Sequence, residues 1–498
     1  MAVVAVLDAG TGGAKCAVFD LDGRVRGLHS EAWTYQVVAH RDVPAVKEYA
    51  FDAPAFWAIL ARCMRAALEQ AAVPPGDVIG VVTTSQREGC VFLDANGFEV
   101  YAGPNLDSRG FMEGLEIIGS LGAERLYEIT GHSAPFIFPL ARWLWYRKQG
   151  GPPVARLLMI NDWMTWRLCG VASAEPSNAA ESMLFDFRAR AWSSEILDHF
   201  GLPAEILPPL YAPGQAVGSV HAAAAAVTGL RVGTPVFAGG ADTQCALLGA
   251  GAVEVGDVAA IFGTTTPLQA VVDAPLLDPA ASLWAGCHVV PERWVIESNA
   301  GSTGDAYVWL LDLLVHGDGD RHARAEALAR AARDTAAFTF IGPRVFDLTK
   351  IRPDMPGGLL FPFPTLQLRP DAGEILRAFL ESIAYAVRAN LEQIAAVSGR
   401  RAETLIVGGG MSRNTLLTGL VADAAGLPLR RAVEPQSTGL GCAMLVAAGA
   451  GAHPDLPTAV RTMCRHETVT PDETRRAVHD AGFAKWRELY DSLQVLSI

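Results

Sequence analysis

Two short loops repeat one pattern about half a chain apart: Leu7-Asp8-Ala9-Gly10-Thr11-Gly12-Gly13 and Phe262-Gly263-Thr264-Thr265-Thr266. Each loop lies between two apolar, strand-like stretches, at 3–7 and 16–19 for the first and at 258–261 and 268–272 for the second. The order strand, glycine–threonine turn, strand therefore occurs twice. This repetition predicts two related lobes that hold the phosphates of one nucleotide between them.

The residue types in both loops suit phosphate binding. Glycine lets backbone N–H groups approach an anion closely, and threonine adds a hydroxyl donor. Asp8, at a strand end, is placed to hold Mg²⁺ through water, and Lys15 adds a positive charge nearby. Neither loop matches the G-x-x-x-x-G-K-[ST] phosphate loop, and neither opens a helix as a dinucleotide fingerprint does. Either loop alone would also fit an ordinary hairpin turn.

Composition excludes several classes of function. The 498 residues carry a formal net charge of −13, which argues against a general nucleic-acid binder or a binder of anionic membranes. No stretch reaches the ~18 uninterrupted apolar residues of a membrane span. The eight cysteines are scattered without a C-x-x-C pair, and the N-terminus lacks the basic region of a signal peptide. These features predict a cytoplasmic protein with reduced thiols.

The sequence predicts an α/β protein with two domains, at 1–252 and 253–498. A small-residue stretch at 250–255, just before the second hairpin, marks the boundary. Helices are predicted from apolar residues at steps of three and four, and the ends from capping residues. They lie at 52–72, at 111–130 with a break at Gly122, at 371–398 with an Asp371/Glu374 capping box, at 413–425 and beyond Pro471.

Further motifs follow the first loop in a fixed order along the chain. They comprise Ser85-Gln86-Arg87-Glu88-Gly89, Asn105-Leu106-Asp107-Ser108-Arg109, Pro176-Ser177-Asn178-Ala179, Gly239-Gly240-Ala241-Asp242-Thr243-Gln244 and Gly408-Gly409-Gly410-Met411 with Asn414. Together with the two glycine–threonine loops they resemble the motifs of the FGGY carbohydrate kinases, over about residues 3 to 450. The resemblance implies the two-lobed actin-like ATPase fold, built of duplicated ribonuclease H-like domains with an ATP and sugar cleft between the lobes.

The resemblance also implies roles for individual residues, with ATP and Mg²⁺ as cofactors and a small sugar or polyol as substrate. Asp242 would be the catalytic base. Arg87, Glu88, Asp107 and Asp242 would contact the substrate. The ATP site, with Asp8 also serving Mg²⁺, would comprise Asp8, Thr11, Gly12, Lys15, Gly263, Thr264, Thr265, Gly409, Gly410, Met411 and Asn414. Homodimers are common in the family, so a homodimer is expected here too.

Several of these residues have a purely structural alternative. Arg87 and Glu88 could form a buried ion pair that only shapes their loop, and for Asp107 the two interpretations are balanced. Asp242 could be an N-cap, a role that is compatible with catalysis. For Asn178 a capping role is favoured over substrate contact. His132 is expected to be structural, because a lone histidine usually is.

The substrate stays open at this level. Arg87-Glu88-Gly89 and the opening loop look most like the branch that contains the autoinducer-2 kinases. Xylulose-like, glycerol-like and erythritol-like substrates remain close alternatives. A different class of function, a nucleotide-clamped regulatory or interaction protein, would share the two hairpins. That alternative gives no role to Arg87, Glu88 and Asp107. A third alternative, a catalytically inactive relative, is disfavoured by the presence of Asp8, Thr11, Asp242 and Thr264.

Overall fold

The computed structural model describes residues 1–40, 43, 46–332, 337–347, 350, 356–361 and 370–496. In the first half of the chain the strands are β1 Val3–Ala9, β2 Gly13–Asp20, β3 Val25–Ala32, β4 Gln36–Ala39, β5 Lys47–Ala50, β6 Val78–Ser85, β7 Cys90–Leu93, β8 Glu99–Gly103, β9 Arg156–Met159, β10 Phe185–Asp186, β11 Ala191–Trp192, β12 Ala216–Ser219 and β13 Pro235–Ala241. The helices of this half are α1 Ala53–Ala71, α2 Phe111–Leu121, α3 Ala123–Thr130, α4 Pro139–Lys148, α5 Ile160–Cys169, α6 Pro176–Ala179, α7 Ser194–Phe200, α8 Ala222–Thr228 and α9 Asp242–Gly249.

The second half continues with the same two kinds of element. Its strands are β14 Val258–Ile261, β15 Pro267–Val272, β16 Trp284–Cys287, β17 Trp294–Asn299, β18 Phe338–Thr339, β19 Leu359–Leu360, β20 Leu405–Gly408, β21 Leu429–Ala432 and β22 His466–Val469. Its helices are α10 Thr303–Leu314, α11 Arg321–Ala331, α12 Ala372–Ser398, α13 Thr415–Ala425, α14 Ser437–Gly449, α15 Leu456–Met463 and α16 Arg476–Leu493.

Both halves build the same kind of central sheet. In the first, the antiparallel meander β3-β2-β1 is followed by β6 and β13, parallel to β1, and by β12 at the antiparallel edge. In the second, the meander β17-β15-β14 is followed by β20 and β21, parallel to β14, and by the antiparallel edge strand β22. Strand β16 extends the second sheet beyond β17. The duplication predicted from the two hairpins is thus present in the whole sheet order.

Two helices, α9 and α14, lie between the two sheets. Cys245 and Leu248 of α9 pack with the first sheet, whereas Ala246 and Leu247 pack with the second. Helix α14 packs on α9 and on strands β1 and β6. Because α14 is apolar on every side, it is buried all round, as such helices are in large proteins. The chain therefore returns from its second half to cover the first sheet.

The outer faces of the sheets are covered by the amphipathic helices. Helices α1, α5 and α8 cover the first sheet, and α10, α12, α13 and α16 cover the second. The capping box of α12 and the Gly122 break between α2 and α3 are confirmed. Two helix starts differ from prediction. Helix α13 begins at Thr415, because Asn414 caps it and residues 410–413 form a 3₁₀ turn, and α16 begins at Arg476 after a 3₁₀ turn at Glu473–Arg475.

Within the described part of the chain, no helix is both long and apolar enough to cross a membrane.

Candidate active site

A cavity of about 770 Å³ lies between the two halves. Both glycine–threonine loops line it, through Thr11 from the first and Gly263, Thr264 and Thr265 from the second. A smaller neighbouring cavity of about 140 Å³ shares part of this wall and reaches Gly409 and Gly410. The two cavities bring together loops that are widely separated in sequence.

The first loop closes the hairpin of β1 and β2. The Gly10 amide donates to the carbonyl of Gly13 at 3.0 Å, and a Cβ on Gly13 would lie 2.4 Å from the carbonyl oxygen of Glu31. Thr11 lines the cavity, and its carbonyl accepts from the Tyr35 hydroxyl at 2.6 Å. Gly12 is exposed and does not line either cavity. The loop conformation therefore needs glycine for close backbone packing.

Asp8 and Lys15 face each other across this hairpin. They are paired in the register of β1 and β2, and both line the larger cavity. Burial raises the pKa of Asp8, and the positive charge of Lys15 opposes that rise. One carboxylate oxygen of Asp8, Oδ1, is buried without a hydrogen-bond partner. An orphaned carboxylate oxygen of this kind fits a bound Mg²⁺ shell.

The second loop is held by the start of α10. The Thr264 carbonyl accepts from the amides of Gly304 at 3.0 Å and Asp305 at 3.3 Å. A Cβ on Gly304 would lie 2.1 Å from the Gly263 carbonyl oxygen, so only glycine permits this approach. The hydroxyls of Thr266 and Thr303 are 2.6 Å apart. The sequence patterns did not indicate the role of Gly304, because the contact joins two separate elements.

Asp242 lies where β13 runs into α9, as the first residue of that helix. Its N-cap is Ala241, so the predicted capping role of Asp242 is wrong by one position. The Oδ1 atom of Asp242 accepts from the Thr243 amide at 2.7 Å and from the Thr243 hydroxyl at 3.2 Å. Burial, together with the negative charge of Asp8, raises the pKa of Asp242 to about 7. The carboxylate lines the cavity together with both glycine–threonine loops.

The residues of the motif Gly408-Gly409-Gly410-Met411 with Asn414 do not all lie at the cavities. Gly409 has a φ of 87°, donates to the Ser437 hydroxyl at 3.2 Å and, with Gly410, lines the smaller cavity. Met411 packs against the core of the second half, and Asn414 caps α13 by accepting from the Leu417 amide at 2.9 Å. Neither Met411 nor Asn414 lines either cavity.

Arg87, in the first half of the chain, forms an ion pair with a residue of the second half. Its guanidinium donates to both carboxylate oxygens of Glu297, on β17, at 2.7 and 2.8 Å, and lies 3.4 Å from Glu181. His132 lies 3.1 Å from the same Glu181, which supports the expected structural role of that histidine. Arg87 nevertheless lines the cavity. The ion pair and exposure to the cavity therefore coexist.

Glu88 lies beside Arg87 in the cavity wall, in a strained backbone conformation. Its φ is 56°, which is uncommon for a residue other than glycine, and its carbonyl accepts from the buried Arg142. Burial raises the pKa of Glu88 to about 8, although Arg87 acts to lower it. Backbone strain of this kind clusters at functional sites.

Two other predicted residues lie elsewhere. Asp107 is fully buried outside the cavity wall and accepts hydrogen bonds from the Tyr49 amide at 2.9 Å, the Tyr101 hydroxyl at 2.5 Å and the Arg109 Nε at 2.6 Å. Asn178 is not the cap of its helix. The cap is Glu175, whose Oε2 accepts from the amides of Ser177 and Asn178, since the capping side chain must precede the helix.

The cavity also contains side chains that were not among the predicted site residues. Asn105 lines it and donates to the Thr11 hydroxyl at 3.1 Å. Arg344 enters from the second half of the chain. An aromatic wall completes it, formed by Phe111, Phe136, Phe138, Trp284 and Phe346. The aromatic residues come from separate loops and helices, so no local periodicity marks them.

Residues 3–249 match the N-terminal domain of the FGGY family of carbohydrate kinases, and residues 258–450 match its C-terminal domain. The autoinducer-2 kinase of Klebsiella pneumoniae subsp. pneumoniae is 32% identical over 515 residues, covering 98% of this chain and 94% of that protein. The autoinducer-2 kinase of Escherichia coli (strain K12 / DH10B) is 30% identical over 502 residues, covering 97% and 93%.

Solved structures show the same fold at lower identity. The xylulose kinase from Rhodospirillum rubrum superposes with a TM-score of 0.81 at 23% identity and 99% coverage of both chains. The Plasmodium falciparum glycerol kinase with ADP superposes with a TM-score of 0.82 at 17% identity, covering 100% of this chain and 99% of that one. The fold is the two-lobed, actin-like ATPase fold. The chain therefore belongs to the FGGY family of carbohydrate kinases, and it is an ATP-dependent kinase that phosphorylates a hydroxyl group of a small sugar, ketose or polyol.

Proposed function

We propose that Asp242 is the general base of this kinase and that it accepts the proton of the attacking hydroxyl group. The supporting observation is its position at the start of α9, in one cavity wall with both glycine–threonine loops. A base with a pKa near the working pH is the most effective in proton transfer, and that of Asp242 is raised to about 7. Phosphoryl transfer otherwise depends on positioning and charge stabilisation.

Asp8 would hold Mg²⁺, and the two loops would bind the phosphates of ATP. The orphaned Oδ1 of Asp8 supports the metal role. The N–H groups of exposed Thr264 and Thr265 donate to no acceptor in the described part of the chain, so they suit phosphate oxygens, whereas the Gly263 N–H donates to the carbonyls of Ile261 and Thr265. Bound Mg²⁺ would neutralise charge on the β- and γ-phosphates. We assign Thr11, Gly12 and Lys15 to the same phosphates. The base and ribose would lie near Gly409 and Gly410, with Met411 and Asn414 supporting that loop from behind.

The acceptor that we propose is an autoinducer-2-like ketose. The two relatives named above at 32% and 30% identity carry the name autoinducer-2 kinase, whereas the xylulose and glycerol kinases named above, at 23% and 17% identity, show only the shared fold. Arg87 and Glu88 would orient hydroxyl or carbonyl oxygens. The aromatic wall would contact carbon that carries no hydroxyl group, which disfavours a fully hydroxylated polyol such as glycerol. Asp107 would act indirectly, by fixing the loop that carries Asn105.

We further assign residues 1–252 to a lobe with the sugar site, the first phosphate loop and Asp242, and residues 253–498 to a lobe with the second phosphate loop and the adenosine site. The free state of all eight cysteines supports a cytoplasmic location. The homodimer expected from the resemblance would be tested by light scattering, with about twice the 52.8 kDa chain mass as the expected result.

The substrate proposal is tested by ADP release from ATP·Mg²⁺ against a panel of ketoses, polyols and the autoinducer-2 precursor, with Asp242→Asn as the control. Strong stimulation by the autoinducer-2 precursor, abolished by Asp242→Asn, is the expected result. Stronger stimulation by xylulose or glycerol would overturn the proposed acceptor and leave the kinase intact. ATP hydrolysis that no acceptor stimulates would favour the alternative of a regulatory ATPase.

A further inference from the structure

Arg344 is a half-buried arginine that lines the cavity, and no described residue of opposite charge lies within ion-pair distance of it. Its Nε atom is buried and makes no hydrogen bond, and no described residue accepts a hydrogen bond from its guanidinium. Arg87, in the same cavity, instead has Glu297 and Glu181 within ion-pair distance. The positive charge of Arg344 therefore remains available to a ligand.

A partly buried charge without a partner destabilises the folded protein, because it loses hydration and gains no compensating contact. Burial accordingly lowers the pKa of Arg344, and the neighbouring group that acts on it is the hydroxyl of Tyr490, which is uncharged at neutral pH. Charges kept in this state cluster at functional sites, where a ligand supplies the missing partner.

The backbone around Arg344 is fixed from three directions. The Arg344 amide donates to the Ala300 carbonyl at 2.9 Å, and its carbonyl accepts from the Asn390 side chain of α12 at 2.9 Å. The following amide, of Val345, donates to the Tyr490 hydroxyl of α16 at 3.0 Å. Side chains on rigidly held backbone are suited to recognising a ligand with defined geometry.

Arg344 is also connected to the second phosphate loop. The Ala300 carbonyl that binds Arg344 belongs to a turn whose Ala300 amide donates to Thr266 at 2.8 Å and whose Gly301 carbonyl accepts from Thr266 at 3.0 Å. The side chain passes close over Gly301, since a Cβ there would lie 2.9 Å from its Cγ. Two hydrogen bonds therefore link the backbone of Arg344, through Ala300, to Thr266, which directly follows the loop Gly263–Thr265.

We propose that Arg344 binds the phosphoryl group that is transferred, which rests on the kinase site proposed above. Guanidinium groups bind phosphate oxygens through two parallel N–H bonds. In the transfer, the acceptor oxygen forms a bond to the γ-phosphorus while the bridging bond to the β-phosphate breaks. The bonding electrons leave with ADP, and the acceptor proton passes to Asp242. Arg344 would hold the oxygens of the moving group from the side of the second lobe.

The test compares the binding of ADP, of a non-hydrolysable ATP analogue with an intact γ-phosphate, and of the acceptor, each measured by calorimetry. Arg344→Met keeps the length of the side chain and removes its charge. We expect Arg344→Met to bind ADP like the wild type and to lose roughly 10- to 100-fold in affinity for the analogue, with partial recovery in Arg344→Lys. Arg321→Met, which removes an exposed arginine of α11, is the control and should change neither affinity.

Thermal unfolding of the same variants separates recognition from a structural role. Because the charge has no partner, Arg344→Met should unfold at the same temperature as the wild type or higher, whereas a structural arginine would lower that temperature. Equal affinity of Arg344→Met and wild type for the analogue overturns the proposal. Weakened acceptor binding with unchanged analogue binding would show that Arg344 binds the acceptor instead of the phosphoryl group, and this result would also overturn the proposal. If the wild type binds neither nucleotide, the proposed function itself has failed.

Discussion

Asp8 and Asp242 are carboxylates of the same cavity, the first near the end of β1 and the second directly after β13. The charge of Asp8 adds to burial in raising the pKa of Asp242 to about 7. Because the two carboxylates are close together, the ionisation of Asp242 is disfavoured unless a cation neutralises Asp8. If Asp8 holds Mg²⁺ and Asp242 is the base, as proposed, this pair would couple metal binding to the protonation state of the base.

The pH dependence of turnover should report this coupling. Asp242 must be ionised to accept a proton, so we expect kcat/KM to fall as the pH drops through about 7. Because Mg²⁺ would neutralise Asp8, the inflection should move to lower pH as Mg²⁺ saturates. Steady-state kinetics from pH 5 to 9 at two Mg²⁺ concentrations measure both effects. Asp242→Asn should lower kcat by about 10²- to 10⁴-fold. A wild-type profile that is flat between pH 6 and 8 would contradict the assignment.

Asp242 should also lower the stability of the fold at high pH. Its pKa is raised on folding, so the folded state favours the protonated form, and stability is lost as the pH rises from about 4 to about 7. Asp242→Asn should therefore stabilise the protein more at pH 8 than at pH 5. We expect the gain in unfolding free energy to differ by on the order of 1 kcal/mol between the two pH values, with a larger rise in melting temperature at pH 8. Calorimetry at the two pH values measures the difference. Asp312→Asn, an exposed site, is the control, and a lower melting temperature of Asp242→Asn at pH 8 would contradict the prediction.

At the scale of elements, the close pairing of α9 and α14 depends on glycine. A Cβ on Gly441 would lie 1.9 Å from the Cys245 carbonyl oxygen, and a Cβ on Gly249 would lie 1.9 Å from that of Ser437. Because α9 and α14 fill the space between the two sheets, the distance between these helices affects the distance between the two glycine–threonine loops.

Two helical glycines offer a matched pair of substitutions. Gly441→Ala should lower the free energy of unfolding by roughly 1–3 kcal/mol, because the added methyl group overlaps a main-chain oxygen. Gly419→Ala in α13 meets no atom within 4 Å and should stabilise the protein by about 0.4–1 kcal/mol, through a less flexible unfolded chain. Urea unfolding of both variants measures the two effects. Equal stabilities would show that α9 and α14 can move apart at no cost.

At the scale of the whole molecule, the two halves are joined by a buried ion pair as well as by α9 and α14. Arg87 of the first half and Glu297 of the second are 210 residues apart in sequence, and Gln269 also donates to Glu297 at 2.5 Å. Arg87 lines the cavity, so this ion pair connects the cavity wall of the first half to the second sheet. An opening of the cleft at this point would have to separate these charges.

Neutralising one member of the pair should therefore be costly. Glu297→Gln removes the bidentate partner of the buried Arg87 and leaves it ion pairs with Glu181 and Glu88 at 3.4 and 4.0 Å, so we expect a loss of about 3 kcal/mol in unfolding free energy. Glu467→Gln on β22 removes an exposed pair with Arg431 and should cost less than about 1 kcal/mol. Denaturant unfolding of both variants makes the comparison. A loss for Glu297→Gln no larger than that for Glu467→Gln would show that the pair does not hold the halves together.

The sequence by itself determined the features that rest on local pattern. Turn chemistry, capping and periodicity act over a few residues. They predicted the glycine–threonine hairpins, the helix that Asp371 caps and the meander of β1 to β3. The order of motifs likewise indicated the family. The sequence also predicted Asp242 as a site residue, and Asp242 lies in the cavity wall. The N-cap of α9 is nevertheless Ala241, since a cap position depends on one pair of backbone angles.

Only the tertiary structure decided which of these residues share a cavity. It placed Asp107 among Tyr49, Tyr101 and Arg109 instead of in the cavity wall, and it paired Arg87 with Glu297. It also brought Arg344 to the site and returned α14 to the first sheet. These contacts join residues far apart in the chain, so they depend on how the two sheets pack across α9 and α14. No pattern within a short window of sequence carries that information.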